Sequence, residues 1–198
     1  MMSEETNPLL LRIKRLIEQA GPIRLADYMY LSLADPTFGY YANRKAIGGQ
    51  GDFITAPEVS QMFGELTGIW VIAVWQMIGR PSRFSLVEFG PGTGVLMKDI
   101  LRTLRSDLAC SQAAVPMMVE ASPAMIEHQQ AAIGKEGARW IDGMEDLPEQ
   151  PVVAIANEFL DALPTHQFVR KTGHWAEIGI NVTEDEKLER IALPASIS

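Results

Sequence analysis

Glu88, Gly90, Gly92 and Gly94 set an acid ahead of three glycines at alternate positions, inside the stretch LVEFGPGTGVLMKDIL at 86–101. Leu86, Val87 and Phe89 are strand formers, and the glycines let the backbone turn sharply and approach a ligand where a Cβ would clash. Beyond Thr93 and Gly94, Leu96, Ile100 and Leu104 recur at helical spacing, with Met97 and Leu101 beside them. Strand, glycine loop and helix in that order make a nucleotide-type site. The dinucleotide fingerprint Gly-x-Gly-x-x-Gly needs a third glycine at position 95, which is Val95, and no Gly-Lys-Ser/Thr follows for a phosphate-binding P-loop. The plain alternative is a glycine-rich turn without a ligand.

Further polar residues follow apolar runs. The run at 115–119 ends in Glu120, and an ionised carboxylate at the tip of a second strand can accept from both ribose hydroxyls. Its alternative role is that of an acid favoured near the N-terminus of the helix that Ser122-Pro123 opens. A third short strand at 138–141 brings Trp140, Asp142 and Met144 to where an adenine would lie, with an apolar surface to stack on and a carboxylate for the exocyclic amine. Asp142-Gly143 also reads as a simple turn. The run at 152–156 has no polar face, as in a central strand buried on both sides, and it leads into Asn157, Glu158 and Asp161. The two carboxylates, three apart, share a face if the turn is helical, and an acid pair suits a guanidinium. The alternative is a capped turn with Asp161 solvated.

These groups need a frame. Asn7-Pro8 opens a helix carrying Leu9, Ile13, Leu16 and Ile17, which Gly21-Pro22 terminates, and a second amphipathic helix spans about 25–33. Residues 35–53 form a long ordered loop rich in glycine and aromatics. Thr55-Ala56-Pro57-Glu58 has the form of a capping box, so a helix starts near Ala56. Val59, Met62, Phe63, Leu66, Ile69, Trp70, Ala73, Val74, Met77 and Ile78 then recur at threes and fours for about five turns, a stripe expected to be core. Asp52 and Thr55, just before that helix, are within reach of a cofactor pocket. Residues 166–170 and 174–182 read as a hairpin around Lys171-Thr172-Gly173, with its histidines at the surface and no metal-type spacing.

With 198 residues, 47% of them hydrophobic, the chain can bury one good core. Its net charge of -8 makes a broad phosphate-binding face, and so a nucleic-acid partner, a poor expectation. The single cysteine, Cys110, excludes an intramolecular disulfide and reads as a small core or loop residue. The N-terminus lacks the basic and apolar pattern of an export signal, and the apolar run at 68–78 falls short of the ~20 residues of a membrane span. The expectation is a soluble, cytoplasmic protein without membrane insertion.

The acid-x-Gly-x-Gly-x-Gly pattern resembles motif I of the class I methyltransferases that use S-adenosyl-L-methionine (SAM). GDFITAPEVSQMFGEL, LVEFGPGTGVLMKDIL, VEASPAM and ANEFLDALPTHQFV, in this order, resemble the MidA family of SAM-dependent methyltransferases, whose mitochondrial member is a protein arginine methyltransferase assisting complex I assembly. The resemblance implies an α/β class I methyltransferase (Rossmann-like) fold, SAM as cofactor, no metal, and methylation of an arginine on a subunit of the NADH dehydrogenase complex. It places Gly90, Gly92, Gly94 and Glu120 at the cofactor and Asn157, Glu158 and Asp161 at the reacting face. The expected organisation is an N-terminal helical extension with an active-site loop at 1–81, and at 82–198 a SAM-binding core ending in a hairpin, together one compact unit. Only about four strands and a hairpin can be placed, so the sheet is expected to stop before the last strands. A small-molecule methyltransferase, and a non-catalytic assembly factor with a vestigial SAM site, stay open.

Overall fold

A four-stranded parallel sheet carries the glycine loop. In the computed structural model, which describes residues 7–43, 54–134 and 137–195, its strands are β2 (Phe84–Phe89), β3 (Ala114–Val119), β4 (Arg139–Ile141) and β5 (Val152–Ile155). Their order is β4-β3-β2-β5. The chain therefore starts the sheet in the middle, winds outward to β4, and returns to the other side of β2. That reversal creates a crevice beyond the carboxyl ends of β2 and β5, where doubly wound sheets hold ligands.

The expected Rossmann-like fold is present, with helices between the strands. Helix α6 (Val95–Leu104) follows β2, α7 (Leu108–Ala113) precedes β3, and α8 (Pro123–Ile133) links β3 to β4. Ser122 caps α8 by accepting from the Met125 amide at 3.5 Å. One face of the sheet packs Phe84, Leu86, Met118, Val153 and Ile155 against Leu96, Met97, Ile100 and Leu104 of α6. Cys110 lies fully buried in this core, and burial, followed by the nearby Asp107 carboxylate, pushes its thiol up to about 11. The opposite face buries Val87, Met117 and Ile141.

Two elements differ from their sequence-based expectation. The central strand is β2, and β5 pairs with β2 alone among the described residues, so it lies at an edge with Val152 and Ala154 exposed. The long helix breaks at Ser60, whose extended backbone separates α4 (Ala56–Val59) from α5 (Gln61–Met77). Ser60 itself caps α5, accepting from the Met62 amide at 3.2 Å. The face of α5 turned to the core is Gly64, Gly68, Val71 and Trp75, while Met62, Leu66, Ile69, Trp70 and Met77 are exposed. Close approach of two helices explains the inversion. A Cβ at Gly68 would come within 2.6 Å of the Thr103 Cβ on α6, so a small residue must face inward and the large ones turn outward.

The remaining elements form a second unit. Contacts group residues 1–44 with 162–198, and 45–161 by themselves, a division unlike one at residue 81. Helix α1 (Pro8–Ala20) is capped by Asn7, whose Oδ1 accepts from Leu9 at 3.0 Å and Leu10 at 3.3 Å. After the short β1 (Ile23–Arg24), α2 (Leu25–Met29) continues as a π-helical turn over Tyr30–Ala34, and α3 (Tyr40–Asn43) follows. The hairpin of β6 (Phe168–Lys171) and β7 (His174–Val182) gains a third strand, β8 (Leu188–Pro194), where the sequence suggested only a tail. β7 pairs antiparallel with β6, β8 and β1. Ile13, Ile17, Leu31 and Ile180 form its core. Arg12 bonds the buried Asp35 at 2.8 Å, and the Thr37 amide does most to hold that carboxyl below its usual range. His166, exposed as expected, bonds the Glu177 carboxylate at 2.6 Å. No helix among the described residues is long and apolar enough to cross a membrane.

Candidate functional site

The glycine loop leaves β2 with Gly90, Gly92 and Gly94 all in the left-handed region, at φ of 60°, 52° and 79°. Gly90 admits no other residue without a shift, because a Cβ there would run into the ring of Phe159. The loop is closed by a bond from the Gly94 amide to the Pro91 carbonyl at 2.8 Å, and Gly94 starts α6. Beneath it lies a cavity of about 40 Å³, lined by Thr55, Pro57 and Glu58 from the start of α4, by Glu88 and the loop, and by Asn157 and Glu158 beyond β5.

Two carboxylates dominate this cavity. Glu88 is 3% exposed, and one of its oxygens, Oε2, has no hydrogen-bond partner among the described residues. Burial pushes its carboxyl up to about 8, opposed by a bond from the Met97 amide. Glu58 accepts from the Thr93 hydroxyl at 3.0 Å through Oε1, and its Oε2 is buried without a partner among the described residues. Thr55 stands at the cap position of α4 without a side-chain cap bond, so the capping-box pattern does not form; Glu58 turns to the glycine loop instead.

A second network ties the loop to the next strands. Gln129 of α8, fully buried, donates to the Gly92 carbonyl at 2.8 Å and to Glu120 at 3.0 Å. Its oxygen accepts from the Trp140 indole at 2.7 Å. Glu120 also accepts from the Ser122 amide at 2.9 Å. A carboxylate has about four lone-pair sites, so Glu120 keeps capacity for two hydroxyl donors.

The structure thus brings Glu88, Gly90, Gly92, Thr93, Thr55, Asn157 and Glu158 to one cavity. Gly94 completes the loop, and the Gln129 network joins Glu120 to it. Asp161 is exposed and does not line the cavity; it sits in a 3-10 turn over Leu160–Ala162. Glu158 precedes that turn with a left-handed φ of 48°, so the helical spacing expected to align the two carboxylates does not apply. Asp142 and Met144 are both exposed beyond β4, with the Asp142 amide bonded to Asp146 at 3.2 Å. Asp52 lies outside the described residues. Glu58 lines the cavity and Gln129 braces the loop through the Gly92 carbonyl, and sequence reasoning assigned neither residue to the site. Glu58 was absorbed into a capping pattern, and Gln129 into one face of a helix.

A model of the family described as "Putative S-adenosyl-L-methionine-dependent methyltransferase" matches residues 66–196. The chain belongs to that family. It is 37% identical over 197 residues to the mitochondrial protein arginine methyltransferase NDUFAF7 homolog of Drosophila melanogaster, covering 88% of this chain and 45% of that protein. Against the human mitochondrial protein arginine methyltransferase NDUFAF7 the figures are 35% over 216 residues, 96% of this chain and 49% of that one. The chain spans about half the length of these relatives. A crystal structure of a COG1565 superfamily member from Burkholderia thailandensis bound to S-adenosyl-homocysteine superposes with a TM-score of 0.76 at 27% identity, over 96% of this chain and 50% of that one.

The residues present suit that cofactor class. Three left-handed glycines that only a bare backbone fits easily, and two buried carboxylate oxygens lacking donors among the described residues, match a ligand that lies against a glycine loop and brings an ammonium.

Proposed function

We propose that this chain binds SAM in the crevice between β2 and β5 and directs its methyl group to an arginine of a partner protein. The observation that carries this reading is one cavity shared by the glycine loop and by Asn157 and Glu158 at the tip of β5. When bound, SAM supplies an electrophilic methyl group on a sulfonium. Gly90, Gly92, Thr93 and Gly94 would take its methionine part, with Glu88 and Thr55 around them. Glu120 would hold the ribose, and Asp142 and Met144 would flank the adenine.

Methyl transfer asks little covalent help of the protein, so orientation and exclusion of water do most of the work. Asn157, Glu158 and Asp161 have that task toward the acceptor. A carboxylate accepts the forked donors of a guanidinium and fixes its plane, which a lysine-type ammonium would not require. The left-handed backbone of Glu158 supports its part, since strained conformations cluster where a side chain must be aimed. The names of the relatives support an arginine acceptor, and the family resemblance supports a complex I subunit as the protein that carries it. We place the reaction in the cytoplasm, with the eukaryotic counterparts in mitochondria.

Calorimetric titration with S-adenosyl-homocysteine tests the cofactor half: micromolar binding is expected, abolished by Gly92→Val. Radiolabelled methyl transfer to isolated complex I subunits tests the rest, and a Glu158→Gln variant that retains full arginine methylation would sink the assigned role. The exposed apolar face of α5 favours a second reading, a non-catalytic binding factor. SAM turnover in the presence of the partner separates the two.

A further inference from the structure

Among the described residues, the cavity at the glycine loop is lined by three acidic residues, Glu58, Glu88 and Glu158, and by no lysine, arginine or histidine. Two oxygens, Oε2 of Glu58 and Oε2 of Glu88, are buried there without a donor among the described residues. A buried carboxyl oxygen without a partner is costly, and the cost falls when a donor, above all a charged one, enters. The cavity, of about 40 Å³, has room for at least one small polar group. An acid-lined cavity disfavours a carboxylate and favours an ammonium.

We infer that Glu58, together with Glu88, receives the α-ammonium of the cofactor's methionine end, making Glu58 a cofactor-binding residue supplied from outside the glycine loop. This rests on the SAM reading above and adds to it an orientation: the ammonium points inward, beneath the loop, and the cofactor's carboxylate stays away from the pair. Thr93 is the positioning residue. Its hydroxyl holds Oε1 of Glu58 at 3.0 Å, while Oε2 of this cavity-lining residue is left without a donor among the described residues. Glu58 comes from a four-residue helix just before the Ser60 break, and Asn157 and Glu158, the group assigned to the acceptor, come from beyond β5. Glu88, raised toward neutrality by burial, gains a counter-charge when the ammonium arrives.

The test is calorimetric titration of the full 198-residue chain with S-adenosyl-homocysteine and with its deaminated analogue, in which hydrogen replaces the α-amine. The wild-type chain is expected to favour the amine-bearing ligand by roughly tenfold or more, the scale of one charge-assisted bond. Glu58→Gln should erase most of that preference by weakening only the amine-bearing ligand, and Glu58→Asp, which keeps the charge, should restore part of it. Far-UV circular dichroism verifies folding, and if the glutamine variant fails to fold, the aspartate variant decides by an intermediate preference against an unchanged one. Equal weakening of both ligands by Glu58→Gln would make Glu58 a structural support of Thr93 and overturn the inference. So would an unaltered preference. A wild-type chain that binds both ligands equally refutes the inference alone, whereas one that binds neither refutes the cofactor reading with it.

Discussion

Replacing Glu88 by glutamine should flatten the dependence of stability on pH between about pH 5 and pH 8. In the unfolded chain this carboxyl ionises near its ordinary 4.5, whereas in the folded protein burial, at 3% exposure, delays ionisation to about 8. Over that window the folded state holds a proton that the unfolded state has released. Folding stability is therefore full below the unfolded value, declines as pH rises, and levels off above the folded value. Each pH unit is worth ~1.4 kcal/mol, so the span from pH 5 to pH 8 removes about 4 kcal/mol, a large share of the ~5–15 kcal/mol that holds a typical domain together. Urea unfolding of the wild-type chain and of Glu88→Gln at several pH values gives the difference directly, because groups common to both cancel. Glutamine keeps the shape and an acceptor for the Met97 amide but has no proton to lose. Two profiles that run parallel from pH 5 to pH 8 would refute the assignment of a neutral buried acid. Glu58 and Glu158, the other carboxyls lining the cavity, are present in both proteins, so a slope they cause would survive the substitution.

Three other substitutions follow from packing and bonding. Gly68→Val drives a side chain into Thr103 of α6 and should cost about 1–3 kcal/mol in urea unfolding, whereas Trp70→Ala, at a residue 51% exposed, should cost well under ~1 kcal/mol. Gln129→Leu strips partners from the Gly92 carbonyl, Glu120 and the Trp140 indole; a lower melting temperature and weaker S-adenosyl-homocysteine binding are expected together, and loss of neither would discount the network. Asp35→Asn should make acid unfolding shallower: the Asp35 carboxyl is held below 3.8, chiefly by the Thr37 amide, so its contribution is present above that value and lost as pH falls through the folded one. Acid titration followed by circular dichroism reads the change.

The glycine loop and the strand-end acids were legible because their chemistry demands particular residue types at fixed places: Gly90 must leave room for Phe159, and Glu120 must close a strand. The α/β order of the sheet followed from alternating runs. The stripe on α5 misled because hydrophobicity records which side chains avoid water and not which neighbour covers them. The signal for the true inner face was Gly64 and Gly68, spaced four apart, small enough for α6 to come close. Val152 and Ala154 misled similarly, since an apolar run marks a strand without telling centre from edge. Glu58 was hidden because the capping-box spacing and a reach across to Thr93 use the same sequence pattern, and only the missing cap bond at Thr55 separates them. β8 was overlooked because charged residues, Glu189 and Arg190, interrupt its apolar positions.

The unit built on β7 draws its strands from both ends of the chain, and this sets an order of events during synthesis. β1 pairs with Gly179 and Ile180, so it cannot join its sheet until β7 has been made, although local contacts such as Arg12 with Asp35 can form earlier. At ~5–20 residues per second, the wait from Ala20 to the end of β7 is roughly 8–30 s. Residues 45–161 form a continuous segment and can fold within that interval. Meanwhile Ile13 and Ile17 lack the cover of Ile180, making the nascent N-terminal helix the natural client of a chaperone that holds amphipathic segments until their sheet arrives.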